Sequence, residues 1–220
     1  MSVKEIFNDY GLILVVCLLF SLAFHEYAHA RVAVMMGDET PKKSGRLTLN
    51  PFKHLSFIGT LVFLVTQKFG WARPVPISFS TLGIRKTALV AMAGPLFNLA
   101  LALSFAILLN IMRSFSPQGE LITRIAFWLS AMVYVNCALF LVNLFPFPPL
   151  DGFRILLGIL KRFFNVPEYK DSLKYYLLLD ITGALILGAI FLSSDLLLQR
   201  LNLIFARVFG TVITLGGTLS

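Results

Sequence analysis

Charge is scarce in this chain. Only 14% of its 220 residues are charged while 57% are hydrophobic, and the mean hydropathy is +0.82. A soluble domain averages about 25% charged and about 45–50% apolar residues. A fold of this size must cover much of its surface with polar side chains, so the composition excludes an ordinary soluble enzyme and a disordered tail. Cysteine is scarcer still. The two present, Cys17 and Cys137, lie inside apolar runs and read as buried packing residues, which excludes a disulfide scaffold. Regular apolar–polar alternation is also missing. The apolar runs are continuous, so a membrane β-barrel is excluded in favour of helices.

Acidic residues are outnumbered, 11 against 19 basic, for a net charge of +8. No basic stripe is interleaved with exposed aromatics, so nucleic acid is not an expected partner. The basic residues are expected in loops that face the anionic inner leaflet of a lipid bilayer. A helix needs about 20 apolar residues to span the hydrocarbon. Runs at 11–36, 87–112, 121–144 and 173–192 qualify. A last stretch, 196–215, is broken by Arg200 and Arg207 and either spans or lies in the interface. Within the first run, after the apolar stretch 11–24, Ala28-His29-Ala30 resembles a signal-peptide cleavage site. No positive segment precedes it, however, and the run is expected to be a span.

Two segments break the helical pattern. Residues 55–66 are apolar but too short to span, and their flanks, 45–51 and 73–78, are rich in proline, glycine and β-branched residues. A short membrane-associated β-hairpin or re-entrant segment is expected there. The second break is 143–152, where Pro146, Pro148 and Pro149 end a helix and force extended backbone. The expected fold is an all-α integral membrane protein of about five to six transmembrane or interfacial helices. It forms one polytopic domain over 1–220, with a core at about 11–155 and accessory helices at about 171–216. The basic segments 37–86 and 151–174 are expected in the cytoplasm, with 113–124 and the N-terminus outside the cell membrane.

Inside the first run stands His25-Glu26-Tyr27-Ala28-His29, an H-E-x-x-H motif. Positions i and i+4 share one helix face, so two imidazoles at this spacing can bind one Zn²⁺. The intervening Glu26 is then the base that deprotonates an attacking water. Ionisable side chains inside an apolar helix are costly, which favours function over packing. Arg31, just beyond, reads as a snorkelling boundary residue. A catalytic zinc needs a third protein ligand. Asp151, Asp180, His54 and the two cysteines are candidates, and Asp151 ranks first because prolines hold its segment rigid.

These residues resemble the site-2 protease family of zinc intramembrane metalloproteases, over about residues 20–155. The resemblance runs through Phe24-His25-Glu26-Tyr27-Ala28-His29, Gly45-Arg46-Leu47-Thr48-Leu49-Asn50-Pro51, Pro74-Val75-Pro76, Ala93-Gly94-Pro95-Leu96-Phe97-Asn98 and the segment 143–152. No span is left for PDZ or CBS modules, so the likeness is to the short bacterial form. It implies one Zn²⁺ per chain on His25, His29 and Asp151, with Glu26 as base and transmembrane proteins as substrates. The family's G-P-x-x-N asparagine maps to Asn98, whose amide is expected to donate to an oxyanion. Arg46, Leu47, Thr48, Leu49 and Asn143 are the expected substrate-binding residues. An edge strand at 45–50 or 73–79 is expected to pair with an unwound substrate. The chain departs from the family at Ser56, where an acid is common, and at Phe153, where a small residue is usual. The competing readings are a zinc hydrolase of a small or lipid substrate and a metal-binding transporter or scaffold.

Overall fold

A computed structural model describes residues 11–56, 59, 72–115 and 119–193. Among them the chain is helical: α1 (Gly11–Met35), α2 (Thr40–Lys43), a 3-10 turn (Pro51–Lys53), α3 (Phe79–Ser114), α4 (Glu120–Leu144), α5 (Asp151–Phe163) and α6 (Tyr169–Ser193). Among the described residues three helices are long and apolar enough to cross a membrane: Ile13–Met35, Phe79–Ser114 and Glu120–Leu144.

Small residues let these helices approach closely, as is usual where lipid supplies no hydrophobic drive between them. Ala30 and Ala33 on α1, Ala91 and Ala102 on α3 and Ala131 on α4 are all buried. Helix α3 is central, packing on α1, α4 and α5. Cys17 joins Ala131 and Val135 between α1 and α4, and Cys137 joins Ala102 and Val133 between α3 and α4. Both thiols are free and buried. Leu89, Leu96, Leu103 and Ile107 of α3 are exposed, as befits a lipid-facing stripe.

The structure departs from the sequence expectations in three places. Helix α3 begins at Phe79 rather than near 87, because Ser78 caps it by accepting from the Thr81 N–H at 3.3 Å. Gly83, at φ +63°, then kinks the chain before the main span. Helix α5 occupies part of what reads as a basic loop. Its 13 residues are amphipathic, with Leu157 buried against Ile84 and Tyr176 and with Lys161 and Arg162 in the last turn. The third departure is the β-hairpin. No strand exists among the described residues, and its place is marked only by an antiparallel bridge between Leu55 and Ala72. Local polar side chains explain this, since they satisfy the backbone in turns instead of a ladder. Thr48 Oγ1 accepts from the Asn50 N–H, and Asn50 Oδ1 from the Phe52 N–H. The rest of 55–66, apart from Ser56 and Gly59, lies outside the described residues, as do the N-terminal ten residues and 196–215.

Candidate active site

Helix α1 presents His25, Glu26 and His29 about 9–15 Å from its C-terminal end, at 1.5 Å per residue. The two imidazoles meet edge to face, with their Nε2 atoms 3.0 Å apart. Asp151, the first residue of α5, places Oδ2 at 3.2 Å from each Nε2. The three donor atoms thus form a nearly equilateral triangle. Ligands at about 2.0–2.1 Å on a tetrahedral zinc stand roughly 3.3 Å apart, so the triangle fits such an ion. Asp151 Oδ2 is buried and has no hydrogen-bond partner. A carboxylate oxygen orphaned against two imidazole nitrogens is costly without a cation between them.

The neighbouring helices shape this triangle. Gly94 of α3 lies against the imidazoles, and a Cβ there would stand 2.4 Å from His29 Nε2 and 2.6 Å from His25 Cε1. Gly152 does the same for Asp151. A Cβ there would meet the Leu144 carbonyl oxygen at 2.2 Å, so only glycine lets α5 start so close to the end of α4. Behind the imidazoles, His29 Nδ1 donates to the Val90 carbonyl at 2.7 Å, and His25 Nδ1 pairs with Asn98 Oδ1 at 2.6 Å. Glu26 is buried, and its Oε2 accepts from the Val75 N–H at 2.9 Å. Val75 sits in the segment 73–78, and Arg46 holds that segment by donating to the carbonyls of Arg73, Pro74 and Lys53. Burial and the Arg73 cation lower the Arg46 pKa, and Glu26 raises it.

His25, His29 and Asp151 are the set brought together. Asp180 is elsewhere, paired at 2.6 Å with Arg154, which also donates to the Pro149 carbonyl. His54 is buried and bonds the Thr48 carbonyl through Nε2. Cys17 and Cys137 stay in their helix contacts. Arg31 is exposed. Asn98 is fully buried, with Nδ2 donating to Asn136 Oδ1 at 2.8 Å and to the Ser21 carbonyl at 3.4 Å. Its donors are therefore committed on the far side of His25 from the triangle, away from where an oxyanion would form. Arg46 is buried in its clamp, whereas Leu47 and Thr48 are half-buried and Leu49 is exposed. Asn143 donates to the Leu139 carbonyl of its own helix at 2.9 Å.

Sequence reasoning missed Val75, Val90, Asn136, Ser21 and Arg154. Of these, Asn136 carries a signal of its own, an amide inside an apolar run, and Val75 stands in the Pro74-Val75-Pro76 motif.

The chain is similar in sequence to known proteins. The family model described as peptidase family M50 matches residues 13–187. The chain is 45% identical over 147 residues to "Putative zinc metalloprotease YwhC" of Bacillus subtilis, a match covering 65% of this chain and 67% of that protein. It is 32% identical over 145 residues to "Putative zinc metalloprotease Rip2" of Mycolicibacterium smegmatis, covering 63% of this chain and 53% of that one. The protein of the same name from Mycobacterium tuberculosis is 30% identical over 144 residues, again with 53% of its length covered. The match thus spans about two thirds of the Bacillus protein and about half of the mycobacterial ones. No solved structure gives a significant match.

Proposed function

The chain belongs to peptidase family M50 and is a metalloprotease, and on that premise we propose that it hydrolyses peptide bonds within or near the transmembrane segments of membrane proteins, with one zinc ion. The observation that carries this reading is the triangle of His25 Nε2, His29 Nε2 and Asp151 Oδ2, with sides of 3.0–3.2 Å, inside an apolar bundle. These three side chains would hold the zinc ion, which would supply Lewis acidity for a carbonyl and for a water. Glu26 takes the proton from the attacking water and returns it to the departing amine. Its carboxylate is oriented by the Val75 N–H, so one oxygen is fixed before substrate arrives. Asn98 serves the site by orienting His25.

Substrate must arrive unwound, because helical hydrogen bonds hide its carbonyls. Two flanks are candidates to pair with it. Along 73–78 most donors are spent: Arg73 donates to His54, Val75 to Glu26 and Ser78 to Asp38, Pro74 and Pro76 have none, and only the Ile77 N–H bonds no acceptor among the described residues. Along 47–49, by contrast, the N–H groups of Leu47, Thr48 and Leu49 bond no acceptor among the described residues. We place strand pairing there, with Arg46 as the clamp that holds both flanks and Asn143 at the rim. The protein is a multi-pass cell-membrane protein with its N-terminus outside and its active site toward the cytoplasm. The basic segments that follow α1 and α4 support that orientation.

The test is elemental analysis of purified wild type together with cleavage of a panel of single-span substrates by wild type and Glu26→Gln. About one zinc per chain is expected in both proteins, with cleavage in the wild type alone, since the amide cannot accept the water's proton. Substantial proteolysis by metal-loaded Glu26→Gln would remove Glu26 from the mechanism.

A further inference from the structure

His25 and His29 are oriented by different means. The proton of His29 is fixed directly: Nδ1 faces the Val90 carbonyl, which only accepts, so Nδ1 carries the hydrogen and Nε2 is bare. His25 faces a side-chain amide, and an amide can turn over. An inverted Asn98 would offer N–H to Nδ1 and drive the imidazole proton onto Nε2, into the metal triangle.

What holds Asn98 the right way round is a second amide. Asn136, on α4, donates through Nδ2 to the Met132 carbonyl at 2.8 Å and to Ser21 Oγ at 2.9 Å. The Met132 carbonyl only accepts, so the Asn136 NH₂ must lie on that side and Oδ1 must face Asn98. Asn98 must then answer with Nδ2, at 2.8 Å, and this leaves its Oδ1 toward His25. The Ser21 carbonyl, 3.4 Å from Asn98 Nδ2, adds weakly to the same sense, being longer than an ordinary N–H···O bond. Turning over either amide would set acceptor against acceptor at the carbonyl it faces. Ser21, Asn98 and Asn136 are wholly buried.

We infer that Asn136 is a positioning residue for the zinc site: through Asn98 it fixes the tautomer of His25 so that Nε2 is free to bind metal. This inference rests on the metal-site reading above. Three helices are coupled by it, since Ser21 and His25 lie on α1, Asn98 on α3 and Asn136 on α4. The metal affinity of a ligand on one helix is therefore set by the main-chain carbonyl of Met132 on another. Asn98 is the partner directly behind the ligand, and removing such a partner typically changes metal affinity by about 10–100-fold, which sets the ceiling for Asn136.

The experiment measures zinc affinity by competition with a chromophoric chelator. Wild type is compared with Asn136→Leu, Asn136→Ala, Ser21→Ala, Asn98→Leu and the double variant Asn98→Leu/Asn136→Leu. Thermal unfolding of each metal-free protein is recorded alongside. Asn136→Leu and Asn136→Ala should each weaken zinc binding measurably, by no more than the about 10–100-fold expected of Asn98→Leu. Ser21→Ala should change it little, because the Met132 carbonyl still sets the polarity. In the Asn98→Leu background, Asn136→Leu should have no further effect, since its influence passes through Asn98. The cobalt(II)-substituted absorption spectrum should shift in Asn136→Leu and stay unchanged in Ser21→Ala. Wild-type zinc affinity in both Asn136 variants would overturn the inference. So would losses that multiply in the double variant, or losses that track only the fall in metal-free stability. A wild type that binds no zinc would overturn the metal-site reading itself, and the inference with it.

Discussion

Replacing Gly94 with alanine tests whether the close approach of α3 to the imidazoles sets the metal geometry. The new Cβ would stand 2.4 Å from His29 Nε2 and 2.6 Å from both His25 Cε1 and His29 Cε1. Carbon and nitrogen need about 3.5 Å or more for ordinary contact, so something must yield by roughly 1 Å. The helix cannot simply retreat, because α3 is packed on α1, α4 and α5 together. The imidazoles cannot swing freely either, because their Nδ1 atoms are held by Val90 and Asn98. Metal sites tolerate ligand shifts of only about 0.2 Å, so displacement on this scale should abolish stable zinc binding. Overpacking itself should cost about 1–3 kcal/mol of stability. The assay is zinc content after dialysis against a weak chelator, with thermal unfolding of the metal-free protein measured in parallel. Gly119→Ala is the control. That glycine sits at φ +127° with nothing within 4 Å of a Cβ, so alanine there strains the backbone without touching the site. It should lose stability and keep its zinc. A Gly94→Ala protein with full zinc and wild-type cleavage would refute the argument, and so would a Gly119→Ala protein that loses metal to the same extent.

Three further outcomes follow from the same geometry. Asp180→Asn should keep one zinc per chain, because Asp180 is paired with Arg154 at 2.6 Å and takes no part in the triangle; Arg154→Met, which frees the Pro149 carbonyl two residues before Asp151, should weaken zinc binding by about tenfold, and competition titration of the two proteins checks both. Thr48→Pro should depress cleavage at normal zinc content while Thr48→Val is tolerated, since only the first removes the backbone donor; equal cleavage rates would remove 47–49 from substrate binding. With Cys17 and Cys137 replaced, an impermeant thiol reagent on intact cells should label Gln118→Cys and spare Lys42→Cys and Asn165→Cys, and the reverse pattern would invert the topology.

The three long apolar helices were legible in the sequence because length and hydropathy are local properties. Their ends were less so. The start of α3 depends on the Ser78 cap and the Gly83 kink, and the basic pair Arg85-Lys86 hid both by reading as a boundary. Helix α5 escaped notice because its 13 residues are too few to span and its last turn is basic. That combination reads as loop until Ile84 and Tyr176 are seen to bury Leu157. The hairpin expected after the first helix rested on β-branched and proline-rich flanks. In the structure Val75 and Ser78 spend their N–H groups on the side chains of Glu26 and Asp38, and Asn50 and Phe52 spend theirs on those of Thr48 and Asn50, while the N–H groups of 47–49 bond no acceptor among the described residues.

The site was legible to the extent that its spacing is local. His25, Glu26 and His29 are fixed by one helical turn, and the proline run singles out Asp151 from Asp180 before any contact is known. Direction was not legible. The sequence says that Asn98 is an amide in the fourth motif, and an amide suits an oxyanion as well as it suits an imidazole. Only the fold decides, by placing the Ser21 carbonyl and Asn136 where they commit its donors. Asn136 was open to notice as an intramembrane amide, yet its meaning depends on partners 38 and 115 residues away in sequence. Hydrogen-bond polarity is a property of the whole network. It is fixed at the two main-chain carbonyls where the chain of amides ends, and it becomes readable only once those ends are located in space.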